Sequence, residues 1–138
     1  MKIFFVLILV LLVVYLPASQ SLPKKQLYIG SVVLTVEIAS TSDSRSRGLM
    51  YRETLNWNNG MLFVYKREHV MEFWMRNTYV DLDIGFFDKN RVLKVIKTMK
   101  RLDETPVSSE VPVMYALEVS KGWFKSHSII PGIQFRMD

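Results

Sequence analysis

A chain of 138 residues, with 18 Lys and Arg against 13 Asp and Glu, has one-domain length and a formal charge of +5. It holds no cysteine, which excludes disulfides, thiolate-ligated zinc, a thiol nucleophile and a lipid anchor attached through cysteine. Its modest positive balance has two open readings: attraction to nucleic acid, anionic lipid or cell-wall polymer, and ordinary solubility.

Lys2 gives a positive start, Ile3 to Leu16 is apolar apart from the Tyr15 hydroxyl, and Pro17 to Ser21 is small and polar. That order is the secretory pattern, and the apolar run is shorter than the ~20 residues a spanning helix needs. Residues 1–21 are therefore expected to be a signal peptide cut after Ser21, with an uncleaved anchor as the alternative. Cleavage would remove only Lys2 among the basic residues, leaving 17 against 13, or +4. Either way the domain is expected to be exported, periplasmic or extracellular. Nucleic acid is then not a partner, and the membrane is met only through an uncleaved leader.

Residues 22–26 read as a tether, and 27–138 as one domain. From Leu27 to Ile38, Tyr28, Val32, Leu34, Val36 and Ile38 alternate with polar residues, which predicts a half-buried strand. Ser40 to Asp43 are N-cap formers before a short helix over Ser44–Tyr51, weakened by Gly48. Asn56 to Gly60 is a turn-rich loop. Met61–Tyr65 and Met71–Met75 have the composition of two strands, and Asp81–Phe87 and Arg91–Met99 are two more, joined through Asp88-Lys89-Asn90. Lys100 to Pro112, polar with two prolines, is expected to be loop. Val113–Val119 is a strand, Gly122–Ser128 a short helix, and Ile133–Met137 a last strand after Pro131-Gly132. The fold class is mainly β, with few short helices: a barrel-like antiparallel domain of about seven short strands.

Five segments in order carry a resemblance: Arg47-Gly48-Leu49-Met50-Tyr51-Arg52, Gly60-Met61-Leu62-Phe63, Phe73-Trp74-Met75-Arg76-Asn77-Thr78, Leu82-Asp83-Ile84, and Tyr115-Ala116-Leu117-Glu118 with Gly122-Trp123. The set resembles the domain-of-unknown-function-192 family, small bacterial and archaeal proteins that are often exported, from about Leu27 to the C-terminus. The resemblance implies a compact, mainly β domain and no particular activity. Two loops depart from the family pattern. Thr105 to Pro112 lacks a tyrosine before Ser108-Ser109, and Ile133 follows Pro131-Gly132 in place of an aspartate.

Trp74, Arg76, Asn77, Thr78 and Asp83 form the leading candidate site. A bend at Asn77-Thr78 brings an indole, an amide, a hydroxyl and a carboxylate to one strand end, a grouping suited to a sugar. The competing reading has Asn77, Thr78 and Asp83 satisfying backbone groups in a turn. Arg47 and Arg52 suit a carboxylate or phosphate, or else pair with nearby acids such as Glu53 or Asp83. Asp81 and Asp83 with Glu118 are the candidate acid–base carboxylates if the protein is an enzyme. Met50, Met61 and Met75, with His69 nearby, are the thioethers for a copper site, against the reading of methionines as core filling. No nucleophile elbow, phosphate loop or His-x-x-x-His pair is present, and no cofactor is expected. The leading expectation is a non-catalytic module binding a small or polymeric ligand or a protein partner. An acid–base enzyme acting on a carbohydrate is the alternative, with copper handling third.

Overall fold

In the computed structural model, which describes residues 21–138, the stretch expected as a single strand over Leu27–Ile38 is a tight hairpin. Strand β1 (Lys24–Ile29) turns at Gly30-Ser31 into β2 (Val32–Ala39), with Ile29 opposite Val32. Gly30 takes a positive φ of 57°, a conformation natural to glycine. The turn reverses the phase of burial, so Leu27 and Ile29 point inward before it and Leu34 and Val36 after it. A single alternating pattern cannot carry that reversal. The leader lies outside the described residues.

Thr41 then caps helix α1 (Ser42–Arg47) in a full capping box with Ser44, and the helix stops at Gly48, before the predicted end at Tyr51. Strand β3 (Asn59–Phe73) runs through the first of the two segments expected as separate strands and into the second, ending before Trp74 and Met75. It continues because β6 (Val107–Ser120) pairs with it from Met61 to Phe73, with register shifts at Val64/His69 and Val70/Glu72. The first shift lets the polar Lys66 to Glu68 bulge out of the ladder. At the second, the buried Ser109 hydroxyl accepts from the Met71 N–H at 2.9 Å and donates to the Val111 carbonyl at 2.7 Å. The pairing also corrects the expected loop at Lys100–Pro112: the strand begins at Val107, with Pro112 tolerated beside an irregular register.

Strands β4 (Leu82–Phe87) and β5 (Leu93–Met99) form the expected hairpin, whose Asp88 carboxylate accepts from the N–H groups of Asn90 and Val92. Helix α2 (Trp123–Ser126) and strand β7 (Phe135–Met137) complete the chain. The sheet order is β5-β4-β6-β3-β2-β1-β7. Its neighbouring strands pair antiparallel except β2 and β3, which are parallel because the connection through α1 carries the chain back to the same end.

This sheet curls until its two edge strands meet at one end. The Leu93 N–H donates to the Ile133 carbonyl and the Gly132 N–H to the Leu93 carbonyl, both at 2.8 Å, beside a bridge between Val92 and Gln134. Each face buries an apolar cluster. Leu62, Leu117, Trp123, Phe124 and Phe135 belong to the first, which α2 helps to fill. Met61, Phe63, Ile84, Phe86 and Ala116 belong to the second, with Leu49 from the chain after α1. Among the described residues no helix is long and apolar enough to cross a membrane.

Candidate functional site

Helix α1 and the chain after it sit on the second face without filling it. Gly48 permits the approach: a Cβ there would lie 3.2 Å from the Phe63 ring. What remains between α1, the bulged part of β3 and the Trp74 segment is a cavity of about 360 Å³. Glu118 lines it from near the C-terminal end of β6, flanked across the sheet by Met61 and Ile84. Phe63, Tyr65 and Phe73 form apolar walls, and Arg45, Arg47 and Trp74 stand among the remaining lining groups.

Glu118 is 5% exposed. Burial alone pushes its carboxyl up to about 8, since no cation or hydrogen bond among the described residues offsets the loss of water. It is therefore mostly neutral at pH 7, presenting one O–H donor and acceptor lone pairs to the cavity. The Tyr65 phenol is also held above its usual range, chiefly by burial, with Arg45 opposing and Glu118 adding to the shift. The Arg45 guanidinium is committed to the fold: it donates to the carbonyls of Ser40 (2.6 Å) and Val64 (3.3 Å) and lies 4.6 Å from the Tyr65 ring centre. Arg47 has no carboxylate partner among the described residues and reaches only the Tyr51 ring, at 5.7 Å.

The candidate residues divide among three places. Arg47, Met50, Trp74, Thr78 and Glu118 all line the cavity. Thr78 is buried at 4%, with its hydroxyl donating to the Arg76 carbonyl at 3.1 Å. Trp74 is 47% exposed, and the Arg76 guanidinium lies 5.4 Å from its ring. Asn77, at φ 52°, donates through Nδ2 to the Tyr51 hydroxyl, while its carbonyl accepts from the Tyr51 N–H at 2.7 Å. It fastens the Trp74 segment to the loop after α1.

Arg52 does not join Arg47. It forms a two-armed ion pair with Glu37 on β2, whose hydrogen bond raises the guanidinium further above its usual value. Asp83 lies on the opposite face from Glu118. Its carboxylate accepts from the Thr98 hydroxyl at 2.7 Å and from the Gly122 N–H at 2.8 Å, tying β4 to β5 and to the start of α2. The bend at Asn77-Thr78 therefore does not bring Asp83 to Trp74. Asp81 accepts from the Arg101 N–H at 2.9 Å at the surface, so the three carboxylates do not converge. Met61 and Met75 are packed in the second apolar cluster with Met71 and Met99. His69 lies exposed against the Tyr65 ring, 4.7 Å between centres.

Sequence reasoning missed Arg45, Phe63, Tyr65 and Glu72 as cavity residues. The signal available for two of them was parity, because Met61, Phe63 and Tyr65 share one strand face.

The chain belongs to the DUF192 family, described as uncharacterized ACR, whose model matches residues 25–137. A protein from Sinorhizobium meliloti, assigned provisionally as a transcription regulator, is 30% identical in its crystal structure, with a TM-score of 0.83 over 86% of this chain and 96% of that one. A protein of unknown function from Novosphingobium aromaticivorans is 32% identical, with a TM-score of 0.81 over 87% of this chain and 89% of that one. None of the curated proteins matches the chain.

Proposed function

We propose that this DUF192 member is an exported, non-catalytic module that binds a small organic ligand in the cavity above Glu118. One observation carries the reading: a buried carboxyl with no hydrogen-bond or ion-pair partner among the described residues faces a cavity of about 360 Å³, and Arg47, which has no carboxylate partner among those residues, also lines it. A buried polar group left without a partner costs free energy, which a bound ligand recovers by hydrogen bonding to it. The neutral acid supplies orientation, the aromatic walls supply apolar contact, and Arg47 supplies charge. Export rests on the apolar run Ile3–Leu16 and the polar segment after it.

A second reading, an acid–base enzyme, draws on the same group, because a carboxyl that titrates near 8 exchanges protons readily around neutral pH. It ranks below binding because Asp81 and Asp83, the carboxylates expected beside Glu118, are engaged elsewhere, while Glu72 reaches the cavity from the end of β3. Copper handling ranks third, since Met61 and Met75 contribute to the apolar cluster while Met50 alone of the three lines the cavity.

The test is native mass spectrometry of the full chain recovered from cells that export it, alongside Arg47→Glu. A small-molecule adduct on the wild type that the variant loses supports the reading. A bare wild-type protein sinks it if the amide resonances of Phe63, Tyr65 and Glu118 also stay unmoved by sugars, carboxylic acids and phosphate esters.

A further inference from the structure

A second hollow, of about 250 Å³, adjoins the first and is lined by Glu72, Phe73, Trp74 and Pro106. Glu72, Phe73 and Trp74 line both hollows, so the two meet along the end of β3. Building on the binding function proposed above, we infer that the ligand is an oligosaccharide lying across Trp74, with an acidic unit above Glu118 on the side of Arg47 and a neutral unit in the hollow beside Pro106.

The length of the ligand follows from the shared wall. A single ring fills one hollow and leaves the other to water, whereas two linked rings use both and cover the indole between them. Trp74 is exposed yet held: its ring lies beside the Arg76 guanidinium, and the backbone that follows is fastened by the Asn77–Tyr51 hydrogen bonds. A flat, fixed indole loses little conformational freedom when an apolar ring face stacks on it.

The sugar class follows from the polar groups. Glu72 offers a carboxylate to both hollows, Thr78 keeps acceptor lone pairs, and the neutral Glu118 both donates and accepts. Hydroxyl groups, which donate and accept in turn, match that set. Acidity follows from the charge balance. Arg45 and Arg47 line the larger hollow with Glu72, whereas the smaller hollow has Glu72 and no cation, so the acidic unit belongs in the larger.

The test uses the full-length chain carrying Trp57→Phe, which leaves Trp74 as the exposed indole while Trp123 stays buried. Glucuronic acid and linear gluco-oligosaccharides from dimer to tetramer that carry one terminal glucuronic acid unit are titrated by fluorescence and calorimetry, with neutral cello-oligosaccharides alongside. The expected result is an affinity gain of about tenfold from monomer to dimer, levelling by the trimer, and weaker binding of the neutral series. Trp74→Ala, at an exposed position that borders both hollows, costs the dimer and longer oligomers more than the monomer and so removes the gain with length. Glu118→Gln weakens every length alike.

Length-independent affinity, an equal loss at all lengths in Trp74→Ala, or a preference for the neutral series overturns the inference and spares the cavity reading. Tighter binding of an alanine–proline peptide than of the tetramer does the same. If no saccharide binds while another small molecule shifts the Glu118 resonance, this inference fails alone. If nothing binds, both fail.

Discussion

Asp83 and Glu118 sit on adjacent strands and point to opposite faces of the sheet. Asp83 is in register with Val119, which sets its chain neighbour Glu118 on the other side with Ile84. The two carboxyl groups consequently have opposite fates. Asp83 is given two donors, while Glu118 is given none and keeps its proton.

Glu118 makes stability pH-dependent in a direction unusual for a carboxyl. An unfolded chain loses this proton near ~4.3, whereas the native state holds it to about 8. Between those values the native state binds the extra proton, so stability is full below the lower value and declines as pH rises toward the upper. Urea midpoints at pH 5, 7 and 9 should show the wild type losing on the order of 2–4 kcal/mol relative to Glu118→Gln. A difference that stays flat with pH contradicts the assignment of a buried neutral acid.

Asp83→Ala removes the acceptor of the Gly122 N–H and the Thr98 hydroxyl. The expected loss is about 1–2 kcal/mol, because the acceptor removed is charged while Thr98 is exposed and Gly122 half-buried, so that water replaces part of what is lost. Ligand binding at the cavity should survive it, since Asp83 faces away. A variant as stable as the wild type would mean that these bonds are replaced by water at no cost.

Thr41→Ala removes the cap of α1. Capping residues contribute about 1 kcal/mol, and here the helix also forms one wall of the cavity. The expected outcome is a small fall in thermal midpoint together with a clear loss of ligand affinity. Thr41→Ser should recover both. Loss of stability with unchanged affinity would separate the helix from the site.

Gly60 and Gly132 make a paired test of steric against conformational cost. A Cβ at Gly60 would lie 2.7 Å from the Glu118 carbonyl oxygen, a backbone atom fixed in the ladder, and Gly60→Ala should cost more than about 2 kcal/mol. Gly132 has φ 102° and open space around it, so Gly132→Ala pays only for its backbone angle, about 1 kcal/mol. Chemical denaturation of both variants should rank them in that order.

What could be read from residue order alone was whatever local chemistry decides. Asp88-Lys89-Asn90 announces its hairpin because the carboxylate caps the turn it belongs to. Ser40 to Asp43 announce a helix start for the same reason. Lys66 to Glu68 misled because β6 pairs with β3 on both sides of them and carries the strand across their bulge, and Val107 to Pro112 misled because pairing with β3, about forty residues away, overrides proline. The cavity was the least legible part. Glu118 was singled out, but as a companion to Asp81 and Asp83. The residues that line the cavity with it, Tyr65 and Arg47 among them, come from elements whose meeting is fixed only when α1 lands on Phe63. The Trp74 segment was found by its unusual composition, and its division between wall and fastening becomes visible only in three dimensions.

Residues 132–135 join β1 and β5, strands from opposite ends of the sheet order. Without those four residues both borders of the sheet would be unsealed, with backbone groups of Leu27–Ile29 and Leu93 open to a strand from another chain. One short segment thus guards two edges at once against edge-to-edge association.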